Sequence, residues 1–159
     1  MSHATTDSGP TLPTASVAAT ATVLVQSGPV TRLELTPPSV TLQPGQTRRF
    51  TARAYDVFGN ASPAALAWSV VAPEAGAITA EGDFTAGRFA GSYPEAVRVS
   101  VNGHSAAAHV IVEAGPTARV ELWPLAPTVR AGGTVHFTAR ALDAQGNARP
   151  GTLQWTARA

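Results

Sequence analysis

Hydrophobic and polar residues alternate with a period of two along much of this chain. The alternation runs through residues 50–55, 66–70, 97–101 and 106–112. Successive side chains of a β-strand point to opposite faces, so this pattern predicts antiparallel strands with one buried face and one solvated face. The positions expected to face inward are Phe50, Ala52, Ala54, Leu66, Trp68, Val70, Val97, Val99, Val101, Ala106, Ala108, Val110 and Val112.

Turn-forming residues separate these segments. Pro44-Gly45, Gly59-Asn60 and Asn102-Gly103 interrupt the alternation, and Asn-Gly is a favoured two-residue hairpin turn. The chain holds 14 Gly and 13 Pro, which favours many short strands over long helices. About seven strands in roughly 85 residues, with a Trp on the third, are typical of an immunoglobulin-like sandwich of two antiparallel sheets. The predicted fold class is therefore all-β.

The sequence repeats itself without a gap 87 residues further on, when Gly28 is placed on Gly115. Between Gly28 and Trp68, 21 of 41 positions are identical in the two copies. The longest shared run is Phe-Thr-Ala-Arg-Ala, at 50–54 and again at 137–141. This degree of identity indicates an internal duplication, and it predicts tandem domains of the same fold.

The repeat divides the chain into four segments. Residues 1–16 are rich in Ser, Thr and Ala and are expected to be a flexible leader. Residues 17–27 match the last strand before the second copy and are expected to be the terminal strand of a preceding domain. Residues 28–114, the first unit, are expected to form a complete immunoglobulin-like domain. Residues 115–159, the second unit, are expected to be the N-terminal half of a further domain.

Four aromatic residues are predicted to belong to the cores of these domains: Phe50 and Trp68 in the first unit, and Phe137 and Trp155 in the second. The inward residues of the second unit have no opposing sheet in this arrangement. Exposed apolar surface and unpaired strand edges favour pairing with other strands. Residues 17–27, with Val17, Val23 and Val25 facing inward, are a candidate strand-exchange segment. A single strand would complete the second unit only in part.

Composition and charge exclude several kinds of function. The formal net charge is +1, so bulk attraction to nucleic acid or to an anionic membrane is not expected. Cysteine is absent, which excludes disulfides, thiolate metal sites and cysteine nucleophiles. No apolar run approaches the length of a membrane span, and the first residues do not have the pattern of a signal peptide. The sequence predicts no direct membrane insertion and leaves the export route open.

The charged motifs are better explained by structure than by chemistry. Asp56-x-x-Gly59-Asn60 and its copy at 143–147 supply too few oxygens for Ca²⁺ and are typical of tight turns. The three histidines after the leader, at 104, 109 and 136, lack the spacing of zinc ligands. Glu81-Gly82-Asp83 is interpreted as a hairpin tip. Glu34 with Arg53, and Glu121 with Arg140, are expected to form exposed cross-strand ion pairs. We therefore predict no catalytic residue, metal site or cofactor.

Several motifs together resemble the bacterial immunoglobulin-like repeats of invasin-type and intimin-type adhesins and other surface proteins. They are a Pro-rich opening, "PGQTRRFTA" at 44–52, the "DVFGN" turn at 56–60, "WS" at 68–69 and "GDFTAG" at 82–87. The first unit carries all of them, and the second unit carries the first three again, together with its Trp. The resemblance implies the sandwich fold, and it implies little about function because such domains serve in many roles.

The resemblance favours a non-enzymatic, extracellular protein of the cell surface, in which tandem domains form a stalk, an adhesive shaft or a fibre. The expected partners are other repeats of the same protein or neighbouring subunits, with a surface glycan or a host protein as further candidates. Two alternatives stay open at this point. One is a virion surface or tail-decoration module that binds a cell-surface glycan, and the other is an accessory domain of a secreted polysaccharide hydrolase.

Overall fold

The computed structural model describes residues 20–157, and within them the protein is all-β. The leader at 1–16 and Val17 lie outside the described residues. The described part contains no α-helix, only a 3₁₀ turn at Pro73–Ala75, and no helix in it could span a membrane. The strands are β1 (Arg32–Thr36), β2 (Ser39–Leu42), β3 (Thr47–Arg49), β4 (Thr51–Tyr55), β5 (Ala61–Ser62), β6 (Ala67–Val70), β7 (Gly76–Ile78), β8 (Asp83–Ala86), β9 (Gly91–Val101), β10 (His104–Val112), β11 (Arg119–Trp123), β12 (Thr138–Leu142) and β13 (Ala148–Arg149).

Three sheets build the first unit. Their strand orders are β1-β4-β5, β2-β10-β9-β6 and β3-β8-β7. The long β9-β10 hairpin turns at Asn102 and Gly103, which have φ angles of 48° and 82°. Positive φ at both central residues is the geometry of the two-residue turn that Asn-Gly favours, and it matches the right-handed twist of the strands.

One strand pairing differs from the antiparallel arrangement that the sequence predicts. The chain bends at Pro37 and Pro38, between β1 and β2. Before the bend β1 pairs antiparallel with β4, and after it β2 pairs parallel with β10. Proline has no N–H for a sheet hydrogen bond, so the first strand breaks there and its second half joins another sheet.

The core of the first unit lies where residues of all three sheets meet. Phe50, between β3 and β4, is fully buried and meets the ring of Phe84 edge to face, with 6.0 Å between ring centroids. Trp68 is partly buried against the same cluster. Gly82 lies close to both Phe50 and Trp68, with a φ angle of +87°. A Cβ at this position would stand 2.6 Å from the Phe50 carbonyl oxygen. The hairpin tip predicted at 81–83 thus carries a glycine because the backbone of Phe50 approaches it closely.

The second unit repeats only part of this architecture. The sheet β11-β12-β13 has the same strand order and register as β1-β4-β5, with Arg119 opposite Leu142 where Arg32 lies opposite Tyr55. The stretches equivalent to β2, β3 and β6, at 126–129, 134–136 and 154–157, form no strand. Trp68 lies on β6, whereas the matching Trp155 lies on no strand. In the first unit those stretches pair with β8, β9 and β10, and a strand needs such a neighbour.

The described part of the predicted terminal strand at 17–27 also differs from expectation. Residues 20–27 form no strand, and Val23 and Val25 are 81% and 83% exposed. Their alternation is that of a strand, but none of the described residues pairs with them. An isolated strand is not stable in water, so the sequence pattern alone does not produce one.

Candidate functional site

A buried carboxylate organises the Asp-x-x-Gly-Asn turn of the first unit. Asp56 Oδ1 accepts hydrogen bonds from the amides of Phe58 and Asn60, both at 2.9 Å. Its Oδ2 accepts from the Gly28 amide at 2.9 Å and from the Asn60 side chain at 3.0 Å. The Gly28 bond joins the turn to the start of the unit, 28 residues earlier in the chain. One side chain therefore closes the turn and holds the incoming chain.

Asp143 has the same arrangement in the second unit. Its Oδ1 accepts from the amides of Gln145 and Asn147 at 2.9 and 2.8 Å. Its Oδ2 accepts from the Gly115 amide and from the Asn147 side chain, both at 2.9 Å. The duplicated sequence thus produces the duplicated hydrogen-bond network.

These hydrogen bonds control the protonation of both carboxyl groups. The Asn60 side chain and the Gly28 amide lower the pKa of Asp56 from 3.8 to about 2. Burial alone would raise the pKa of Asp143, but the Asn147 side chain and the Gly115 amide outweigh burial and hold it at about 2. Each carboxylate accepts four N–H donors, so its lone pairs are turned to the protein. The geometry is that of a structural turn, and residues 20–157 hold no cluster of three metal-ligating side chains.

Asn147 also joins the second unit to the first. Its side-chain N–H₂ donates to the Arg88 carbonyl at 2.8 Å, and its Oδ1 accepts from the Ala90 amide at 2.8 Å. With its bond to Asp143 the amide uses both of its hydrogens and its oxygen. Asn60, the equivalent residue of the first unit, donates to Asp56 in the same way. Among the described residues, it forms no hydrogen bond with another unit. Asn60 is exposed, whereas Asn147 is half-buried.

A groove lies beside this contact and is lined by both units. The first unit supplies Gln43, Ala90, Glu113 and Ala114, and the second supplies Ala148, Arg149 and Pro150. Arg149 donates to the Gly115 carbonyl at 2.6 Å and also reaches the carbonyl of Ala114, the last residue of the first unit, at 3.5 Å. A second groove at the N-terminal end of the first unit is lined by Gln26, Ser27, Ala61, Ser62, Pro63 and Ala64. All of these except Ala64 precede a lining residue of the junction groove by the repeat distance of 87 residues. Among residues 20–157, no preceding unit flanks that second groove.

The second unit exposes an apolar face that is covered in the first unit. Phe137 is 43% exposed and Trp155 is 57% exposed, whereas Phe50 is fully buried and Trp68 packs against the core. Leu122 lies beside both aromatic residues and lines the same groove. Of the four predicted core residues, the structure therefore places two in a core and two on this face. We refer to Leu122, Phe137 and Trp155 as the open face.

The ion pairs differ between the two units. Arg140 pairs with Glu121 across the strands at 2.9 Å, and Arg119 also reaches Glu121 at 3.1 Å. In the first unit Glu34 lies opposite Arg53 in the register but pairs with Arg32 on its own strand. The expected pair between Glu34 and Arg53 is therefore wrong. Arg32 also lies over the Tyr55 ring, 4.5 Å from its centroid, and this contact holds it beside Glu34.

The other polar residues considered from the sequence do not converge on a site. His109 Nε2 forms a hydrogen bond with Ser92 Oγ at 2.8 Å across β9 and β10. Asp83 pairs with Arg49 at 2.9 Å on the surface, next to the Gly82 turn.

The junction through Asn147 has no signature in the sequence, because its partners are backbone groups at 88–90. The Gly-Asn motif is identical in both copies, and only one copy forms the contact.

Comparisons with known proteins give matches among solved structures only. No protein-family model matches the chain, and no curated protein matches it. The structure is similar to domains 5–6 of the S-layer protein SbsC, with a TM-score of 0.46, 16% identity and coverage of 76% of this chain and 66% of that chain. It is also similar to SbsC domains 1–6, with a TM-score of 0.47, 19% identity and coverage of 75% and 17%. The chain therefore spans less than two thirds of the length of either structure.

Proposed function

We propose that this chain is part of a non-enzymatic, extracellular structural protein, in which tandem immunoglobulin-like β-sandwiches form a stalk or fibre. The single observation that carries the proposal is the contact of Asn147 with Arg88 and Ala90. A stalk requires that successive units keep a defined orientation. The Asn147 side-chain amide provides such a restraint, because it makes two hydrogen bonds across the boundary and a third one to Asp143 within its own unit.

The connection between the units adds to this restraint. β10 ends at Val112 and β11 begins at Arg119, and the chain between them is bonded at several points. The Glu113 amide donates to the Leu42 carbonyl at 2.9 Å, and the Ala118 amide donates to the Leu142 carbonyl at 2.8 Å. Between them the Gly115 amide is held by Asp143. A linker bonded to both units transmits orientation, whereas a solvated linker would let the units move independently.

The duplicated turn supports an array of such units. The Asp56 network shows that the start of the first unit is held as the start of the second is. The groove at Gln26, Ser27 and Ala61 contains the counterparts of Glu113, Ala114 and Ala148, which line the junction groove from both units. The extracellular setting comes from the resemblance to bacterial surface repeats. The expected partners are repeats of the same kind.

Distances between spin labels on the two units test this proposal. The chain contains no cysteine, so Thr51→Cys and Thr138→Cys, at equivalent exposed positions of β4 and β12, introduce two specific labelling sites. We expect a narrow distance distribution by pulsed electron resonance. Asn147→Ala should broaden it, because the contacts with Arg88 and Ala90 are lost.

Asn60→Ala is the matched control. It removes the same hydrogen bond within its turn but no bond between units, so the distribution should stay narrow. A distribution that is already broad in the parent protein would contradict a rigid junction. Equal broadening by both substitutions would show that the loss of the hydrogen bond within the turn causes it, and would contradict a role for the contacts between the units.

A further inference from the structure

We propose that residues 20–26 of one molecule add as a strand beside residues 126–129 of a second copy, next to its open face. The proposal rests on the proposed repeat architecture and names the partner of its exposed apolar surface. In the first unit the equivalent contact is formed by β2 and β10. This pair defines where the added strand would lie and which residues would face each other.

In the first unit β10 lies parallel to β2, with Val110 opposite Val40 and Val112 opposite Leu42. Val110 and Val112 are almost completely buried, and Leu42 is 9% exposed. In the second unit the stretch 126–129 corresponds to β2 in the repeat but pairs with no strand among residues 20–157, and Val129 is 51% exposed where Leu42 is buried. The edge of the stretch 126–129 is therefore free to accept a strand, as far as residues 20–157 show.

Residues 20–26 have the sequence that this position requires. Val23 and Val25 precede Val110 and Val112 by the repeat distance of 87 residues. Both are exposed, and β-branched residues favour strands. Joining the exposed segment to the exposed edge would bury apolar side chains of both and supply backbone hydrogen bonds, which is the physical basis of strand addition.

The register follows from the β2-β10 pair. Val23 would lie opposite Pro127 and Val25 opposite Val129. Pro127 has no N–H, whereas Val40 has one. The 126–129 stretch can therefore donate one hydrogen bond fewer to the added strand than β2 can donate to β10. Val23 and Val25 would cover Leu122 and Val129, because β10 packs over the equivalent part of the first core. Phe137 and Trp155 would remain for strands equivalent to β8 and β9.

The contact joins two different surfaces, because the donor segment precedes the first unit and the acceptor lies in the second. It is therefore heterologous, and repeated contacts of this kind build open head-to-tail filaments. Within one molecule the two surfaces do not meet, since Val23 and Val25 are exposed in a structure that contains both.

Sedimentation velocity over a range of concentrations tests the proposal on the 159-residue chain. We expect the average mass to rise with concentration. Val23→Asp with Val25→Asp should weaken association by roughly tenfold or more, because each places a charge against apolar surface. Val129→Asp should do the same from the acceptor side, and its side chain is exposed enough that the monomer should still fold.

Leu24→Asp is the matched control, since Leu24 is equally exposed but has the opposite phase along the segment. It should leave association within about twofold of the parent protein, as expected for a solvated position. Hydrogen exchange at 126–129 should slow on association in the parent protein and in Leu24→Asp, but not in the valine variants. A monomer at all concentrations, or association unaffected by the valine substitutions, would overturn the proposal. The spin-label distances are measured in dilute monomer and test the junction between the units. A failure of strand addition can therefore be distinguished from a failure of the proposed stalk.

Discussion

Phe50 and Phe137 occupy the same position of the duplicated sequence, yet Phe50 is fully buried and Phe137 is 43% exposed. Both follow the same turn and precede the same Thr-Ala-Arg-Ala strand. The difference comes from the segment 76–112, which covers the first ring with Phe84, whereas no such segment covers the second ring among residues 20–157. The environment of a residue in this protein therefore depends on which strands lie opposite it.

Truncating these two rings should have very different effects on stability. Phe50→Ala should lower the free energy of unfolding by about 3–5 kcal/mol, because it leaves a cavity in a closed core. Phe137→Ala should lower it by less than about 1 kcal/mol, because its ring is already partly in water. Urea denaturation followed by circular dichroism measures both. Similar losses for the two variants would mean that the second unit has its own closed core.

Gly82 should tolerate alanine much less than Gly45 does. Both have positive φ, +87° and +78°, so alanine introduces backbone strain of about 1–2 kcal/mol at either site. At Gly82 the new Cβ would also stand 2.6 Å from the Phe50 carbonyl oxygen, whereas at Gly45 nothing lies within 4 Å. Thermal melts should show a loss for Gly82→Ala at least about twice that for Gly45→Ala. Equal losses would refute the close approach.

Stability should fall in acid because of the two turn carboxylates. Their pKa values are about 2 in the folded protein, below the ordinary value of 3.8. A lowered pKa contributes stability that is complete above the unfolded value and is lost as the pH falls through the folded value. The loss from Asp56 and Asp143 should therefore develop from about pH 4 down to about pH 2.

Urea midpoints measured at intervals between pH 5 and pH 2 check this window. Asp56→Asn should be less stable at pH 5 and should show a smaller further loss in acid, because one titrating group has been removed. Asp83→Asn is the control, since Asp83 forms only an exposed pair with Arg49. A parent protein whose stability does not change between pH 4 and pH 2 would contradict the role of the turn carboxylates.

Glu121 should contribute little to stability even though it pairs with two arginines. Arg119 and Arg140 are more than half exposed, and exposed ion pairs are worth about 0–1 kcal/mol. Glu121→Gln should therefore change the free energy of unfolding by less than about 1 kcal/mol, and the change should shrink further at high salt. A larger effect that persists in 1 M salt would indicate that the cluster stabilises the second unit by another route.

Local features of the fold could be predicted from the sequence because they depend on neighbours along the chain. The alternation at 97–101 and 106–112 determined two strands, and Asn102-Gly103 between them determined their hairpin. The Asp-x-x-Gly-Asn turns were predictable for the same reason, since most of their hydrogen bonds span four residues or fewer.

Contacts between distant segments were decided only by the tertiary structure. The sequence by itself determined an all-β chain, its turns and its duplication, because side-chain period and turn chemistry act locally. It could not show that β2 pairs parallel with β10, or that Asn147 reaches the backbone at Arg88 while Asn60 does not. Residues 20–27 and 154–157 match strands of the first unit in the repeat but form none here, because a strand is stable only beside a partner that the fold provides.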